Sequence, residues 1–182
     1  MKKKPLHPIF SDPRCLNPHG DIYYQATAFV RGKNVYATDG RIIVRCPASR
    51  VTKASIPKVP KGAKLVNCVD CDWLLSEFSL DATGEVALPE LPIVTDAACP
   101  ICSGSGKTPC CEVVCYKCLM RTDHELVNLG NGVGLTSDYI RLLCFHGVHV
   151  VHMVYVREPA SAPVYFRHPD GAFEGLLVRR QL

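Results

Sequence analysis

Apolar and polar positions alternate along much of the chain, in short stretches punctuated by glycine, proline and asparagine, and this texture predicts strands more than helices. Tyr23, Tyr24, Thr27, Phe29 and Val30 are strand formers, followed by a turn at Gly32-Lys33-Asn34. Val35-Tyr36-Ala37-Thr38 is the next strand. Asp39-Gly40 predicts a type I′ hairpin, because both residues tolerate positive φ, and Ile42-Ile43-Val44 resumes the sheet behind it. The three strands form a meander. Pro47, Pro57 and Pro60 then mark loops, with at most a short edge strand near Ser55-Ile56.

A helical period shows twice. Asp72 can cap a short helix whose Trp73, Leu74, Leu75 and Phe78 face a core, and Thr136 or Ser137 can cap a second carrying Tyr139, Ile140, Leu142, Leu143 and Cys144, stopped by Gly147. Between and after them lie further strand signals: Glu85-Val86-Ala87-Leu88, two short strands flanking Gly130-Asn131-Gly132, Val148 to Val156, Pro163 to Arg167, and Phe173 to Val178 beyond an Asp170-Gly171 turn. The order predicts an α+β fold, an antiparallel sheet with two short helices on one face. Trp73, Leu74, Phe78, Ile140 and Leu143 are expected between helices and sheet.

Composition narrows the class without changing that picture. A chain of 182 residues with 47% hydrophobic and 21% charged residues has the make-up of a folded domain, which excludes wholesale disorder, collagen-like repeats and coiled coils. The longest apolar stretch, Val148 to Val156, is interrupted by His149 and His152 and falls short of the roughly 18 residues of a membrane helix. Met1-Lys2-Lys3-Lys4-Pro5 has the positive start of a signal peptide but no apolar run behind it, so a cytoplasmic protein is expected.

Eleven cysteines are too many for chance in a chain of this size. In a reducing compartment, clustered pairs read first as metal ligands. Cys99-Pro-Ile-Cys102 and Cys115-Tyr-Lys-Cys118 are two C-x-x-C knuckles separated by twelve residues, able to offer four thiolates to one tetrahedral zinc. Gly104 and Gly106 allow the tight turn such a knuckle needs. The module 97–124 is therefore expected to be a small zinc-ribbon-like insertion, serving folding and contact, because four thiolates leave zinc no open position. A redox pair or free thiols are the competing readings. Cys110 or Cys111 can replace one of the four, and Cys68-Val-Asp-Cys71 is a packing feature, a redox pair or half of a second site.

Formal charge is +4, unevenly distributed. Residues 1–64 hold 13 Lys and Arg against 3 Asp and Glu, whereas Leu65 to Ala98 hold seven acids and no Lys or Arg. A basic surface facing a polyanion is one reading and a solvated face the other. Lys2, Lys3, Lys4, Arg41, Arg45, Arg50 and Lys53 are the candidate nucleic-acid contacts.

Catalytic patterns are thin. Gly104-Ser-Gly-Lys-Thr108 ends like a P-loop, but Ile101 stands where its first glycine belongs and Pro109 where a helix must continue. The seven histidines form no H-E-x-x-H pair, each reading as a surface or core-edge residue, and no G-x-S-x-G elbow occurs. No enzyme is expected.

Two resemblances attach to these motifs. Cys99-Pro-Ile-Cys-Ser-Gly-Ser-Gly106 resembles one C-x-x-C-x-G-x-G repeat of the J-domain co-chaperone zinc region. Val35-Tyr-Ala-Thr-Asp-Gly-Arg-Ile-Ile-Val-Arg45 resembles the sheet segment of bacterial β sliding-clamp domains, and Pro163-Val-Tyr-Phe-Arg with Gly175-Leu-Leu-Val resembles the last two strands of such a domain, Val178-Arg179 standing where Met-Pro is usual. The second resemblance spans 21–96 and 125–180. The first twenty residues, with Pro5, Pro8, Pro13 and Pro18, read as an irregular basic arm (1–20), and the resemblance implies one clamp-like unit of phage or prophage type (21–96 and 125–182) with the inserted module (97–124). A single unit cannot encircle DNA unless it assembles. The implied function is a non-enzymatic accessory protein associated with DNA or the replication machinery. The alternative is a protein-interaction module that does not bind DNA, with replication or host proteins as partners.

Overall fold

The computed structural model describes residues 3–12, 14–16, 27–58, 75–76, 79, 82–91, 125–130, 133–154 and 163–178. Among the described residues nine strands run β1 (Phe29–Arg31), β2 (Asn34–Thr38), β3 (Ile42–Pro47), β4 (Ala82–Ala87), β5 (Leu126–Asn128), β6 (Gly134–Thr136), β7 (Val150–Val154), β8 (Val164–Arg167) and β9 (Glu174–Leu177). Seven of them form one sheet in the order β1-β2-β3-β9-β8-β7-β4, every neighbouring pair antiparallel. β5 and β6 form a separate hairpin. The α+β class with an antiparallel sheet is thus observed.

The sheet joins two local meanders, β1-β2-β3 and β7-β8-β9, through the long-range pair β3–β9, in which Ile42 faces Leu177, Val44 faces Gly175 and Arg45 faces Glu174. Alternation along β3 is regular: Ile42, Val44 and Cys46 are buried, and the residues between them are partly exposed. That period of two gives the sheet two distinct faces. One carries Val35, Ala37, Ile42, Val44, Val151, Val164, Phe166 and Leu177, and it packs against Ile140, Leu142 and Leu143 of the helix Ser137–Phe145 and against Ile9 and Phe10. The other carries Phe29, Tyr36, Val154, Tyr165 and Leu176, covered by Leu75.

Leu75, Ser76 and Ser79 have helical backbone, as the sequence predicts for this stretch. Leu75 nevertheless lies in the cluster opposite the helix Ser137–Phe145, so the two helical segments do not share a face. Burying Phe29 and Tyr36 on the second face requires a cover of its own. Ile140 and Leu143 are buried as expected; Trp73, Leu74 and Phe78 lie outside the described residues.

Thr136, at the N-cap of the helix Ser137–Phe145, makes no side-chain capping bond, and Arg141 donates to Ser137 Oγ at 3.2 Å. It ends in a Schellman motif: Gly147 N–H donates to Cys144 O at 3.0 Å and Val148 N–H to Leu143 O at 2.9 Å. Gly147 takes the required left-handed φ of 81°, and Val148 and Leu143 are both buried. Val148 is thereby used by the helix stop, and β7 starts only at Val150.

Two further local expectations are corrected. Thr38 pairs with Ile43, leaving four residues, Asp39 to Ile42, inside that last pair in place of a two-residue type I′ turn. Asp39 Oδ1 accepts from the N–H groups of Arg41 at 2.7 Å and Ile42 at 2.9 Å, which widens the loop. Near Ser55 there is a 3₁₀ turn, Lys53–Ser55, not an edge strand. Ser55 Oγ donates to Thr52 O at 2.7 Å and accepts from Leu6 N–H at 2.9 Å, tying this stretch to the N-terminal segment. That segment, read as irregular, contains the 3₁₀ turn Pro8–Ser11 and buries Ile9, Phe10 and Cys15. No helix among the described residues is long and apolar enough to cross a membrane.

Candidate nucleic-acid interface

The backbone brings four of the candidate cations together at one end of the sheet. Lys4 N–H donates to Arg50 O at 3.0 Å and Thr52 N–H donates to Lys4 O at 2.9 Å, an isolated parallel bridge that sets Lys3 and Lys4 beside Arg50 and Lys53. Two 3₁₀ turns, Ala48–Arg50 and Lys53–Ser55, present Arg50 and Lys53, the bridging segment presents Lys3 and Lys4, and all four residues are exposed.

Two cations that sequence reasoning did not single out join them. Ala48 N–H donates to Lys33 O at 2.9 Å, drawing in the β1–β2 turn. Arg50 Nη1 donates to Gly171 O at 3.0 Å, drawing in the β8–β9 turn. A methyl group added at Gly171 would lie 3.6 Å from both Arg50 Nη1 and Arg167 Nη2, so the two guanidinium groups are no more than twice that distance apart. Lys33 and Arg167 are exposed. The one acid on this turn is Asp170, also exposed.

The remaining candidates divide. Arg41 is exposed in the loop at the far end of β2, whose five residues span about 17 Å, beyond a Debye length of about 8 Å at physiological salt. It belongs to another part of the surface. Arg45 is held by Glu174 across the β3–β9 pair, with Nη2 at 2.6 Å and Nε at 3.0 Å from Oε1, while Tyr165 OH donates to Oε2 at 2.7 Å. Burial alone would lower the Arg45 pKa; the hydrogen bond and charge of Glu174, with Tyr36, outweigh that and raise it. Its charge is spent inside the sheet. Burial and the same Glu174 carboxylate push Tyr165 up, beyond the range of any physiological titration. Lys2 lies outside the described residues.

Of the cysteines, Cys15 and Cys46 are buried and Cys144 is half-buried. Burial raises all three thiols, Cys46 to about 11 against the opposing charge of Arg50, so they are protonated packing groups at neutral pH. Cys99, Cys102, Cys115 and Cys118, with Cys68, Cys71, Cys110 and Cys111, lie outside the described residues. Among the described residues no group of three or more His, Cys, Asp and Glu is disposed to hold a metal.

A histidine cluster escaped the sequence reading. His146 is 7% exposed, and its Nε2 lies 2.9 Å from Asp12 Oδ2, which also takes Arg14 Nη2 at 2.7 Å. Burial opposes ionisation of Asp12, but the hydrogen bonds from Arg14 and His146 carry its carboxyl below the usual range. With the His146 and Asp12 side chains 4% and 9% exposed, the pair is closed to substrate and ties the N-terminal segment to the helix end. These residues stand more than a hundred positions apart, and no local pattern links them.

Comparison of the chain with protein-family models, with curated proteins and with solved structures returns no match.

Proposed function

We propose that this chain is a non-enzymatic accessory protein that contacts the phosphate backbone of nucleic acid through the basic end of its sheet, and that Cys99, Cys102, Cys115 and Cys118 hold a structural zinc. The observation that carries the reading is the convergence of Lys3, Lys4, Lys33, Arg50, Lys53 and Arg167, exposed, from four separate segments. Cations gathered within a Debye length act together on a polyanion, whereas the same charges scattered would be screened. Lysine and arginine on short turns, without an element shaped to enter a groove, suit phosphate contact and not base readout. The clamp-like resemblance agrees, since that architecture implies sequence-independent contact.

Binding of this kind releases counterions. With four of the six cations on phosphates, log affinity for duplex DNA should fall against log salt with a slope of about −3.6. A titration of the full chain over a range of salt concentrations measures that slope. No binding at low salt, or binding indifferent to salt, would refute the reading and favour the protein-interaction module.

A further inference from the structure

The described residues repeat one local device, a side chain that accepts a hydrogen bond from the backbone N–H two positions ahead. Asp12 accepts from Arg14 at 3.0 Å, Asp39 from Arg41 at 2.7 Å and Asn128 from Gly130 at 2.8 Å, the usual Asx turns. His7 and His168 do the same with an imidazole: Nδ1 accepts from Ile9 N–H at 3.3 Å and from Asp170 N–H at 3.1 Å. A ring nitrogen accepts only while unprotonated, so both rings are neutral with the proton on Nε2. These two turns are built on an imidazole, which can take up a proton, where Asn would make the same bond at any pH.

The two rings lie together. Their centroids are 5.4 Å apart, Phe173 is 4.7 Å from His7 and 5.1 Å from His168, and His146 is 5.5 Å from His7. His7 opens the 3₁₀ turn that carries Ile9 and Phe10 into the core. His168 opens the turn from β8 to β9, its N–H bonded to Phe173 O at 2.9 Å.

We infer that His7, packed against His168, is a proton-operated latch, which fastens residues 3–12 to the sheet while its Nδ1 accepts the Ile9 N–H and releases them when that ring is protonated. Protonation of His7 removes the acceptor of its turn and sets a charge beside the His168 and His146 rings. The groups facing them are His146 at the helix end, Asp12 and Arg14 in the N-terminal segment, Arg167 and Asp170 on the β8–β9 turn, and Arg50 bonded to that turn. Asp12, which meets the cluster at His146, is already engaged by Arg14 and His146. Burial first, then the proximity of His146 and His168, lowers His7 from 6.5 to about 4. The fastened state therefore binds this proton more weakly than the released one, and release becomes more favourable as pH falls from 6.5 towards 4.

Amide hydrogen exchange at pH 7 and pH 5, corrected for intrinsic rates, tests the latch. The Lys4, Phe10 and Asp12 amides, bonded to Arg50 O, His7 O and Ile9 O, should open about twentyfold more at pH 5, while amides of β2 and β3 keep their protection. In the double variant His7→Asn, His168→Asn the N-terminal amides should be as protected at pH 5 as at pH 7. Unchanged protection in the wild type, or an acid opening that persists in the double variant, would overturn the latch. Nitrogen-15 spectra of the wild-type imidazoles at pH 7 provide a check that needs no variant. Unprotonated Nδ1 with protonated Nε2 on both rings is expected, and the opposite tautomer on either would also overturn it.

Discussion

Gly175 is the point at which the two halves of the sheet meet, and an alanine there should split them. Its strand partners are Val44 on β3 and Phe166 on β8. A Cβ at this position would lie 2.3 Å from Ile43 O and 2.3 Å from Phe166 Cζ, each about 1 Å inside van der Waals contact. The Phe166 ring, fully buried, cannot swing into solvent, and Ile43 O belongs to backbone already paired in the sheet. Overpacking of this kind costs about 1–3 kcal/mol, and a ladder hydrogen bond lost on separating β3 from β9 adds about 1 kcal/mol. Gly175→Ala should therefore destabilise by about 3 kcal/mol, a fall in Tm of about 6–12 °C for a chain of this length. Gly84→Ala is the control. Gly84 sits at the bulge between Thr83 and Glu85 with φ +67° and nothing within 4 Å of a new Cβ, so only left-handed backbone strain applies, about 1–2 kcal/mol. Urea unfolding of both variants gives the comparison. If Gly175→Ala costs no more than Gly84→Ala, the close approach across β3–β9 is wrong, and with it the central register of the sheet.

Other expectations follow from single interactions. Glu174→Ala takes the carboxylate from Arg45, which keeps Tyr36, and from the Tyr165 hydroxyl, and because both charged side chains keep some exposure the cost should be about 2 kcal/mol in urea unfolding, against about 1 kcal/mol for Tyr165→Phe. Acid should act in two stages, read as urea midpoints against pH. His7, lowered to about 4 from 6.5, withdraws stability across that interval, and His7→Asn should abolish the first stage. Asp12, held below its usual range, withdraws stability only below about pH 4, and Asp12→Asn should abolish the second stage while lowering stability at pH 7. Protein purified without added zinc should contain one zinc per chain, and chelation should loosen 97–124 while the amides of β2 and β3 stay protected. Metal-free protein with an ordered module would end the zinc proposal.

What the sequence made legible was local. The meander β1-β2-β3, the pair β8–β9 and the helix stopped by Gly147 are written in alternation, turn residues and one glycine, all within a few positions of the bonds they form. Pairings across the chain were not. Nothing in residues 42–45 announces that they meet 174–177, because a strand pattern states which face is apolar and not which strand lies beside it. The candidate interface inherited that limit. Arg45 and Arg50 are equal in a count of charges, yet one lies opposite Glu174 and the other on an exposed turn. Lys33 and Arg167 were passed over for the same reason, since only backbone bonds between distant segments bring them to Arg50. The N-terminal segment read as irregular from its prolines, and Ile9 and Phe10 anchor it because a non-regular chain can still bury its apolar side chains.

The basic end of the sheet is the central claim, and charge reversal tests it most directly. At 0.1 M salt each lost phosphate contact weakens binding by about 0.9 of a decade. Lys4→Glu, Arg50→Glu and Lys53→Glu together should therefore weaken affinity for a labelled duplex by a hundredfold or more, with the urea midpoint little changed because all three side chains are exposed. Arg41→Glu, equally exposed at the opposite end of β2, should change affinity less than twofold. A triple variant that binds like the wild type, or an Arg41→Glu variant that loses as much, would contradict the account.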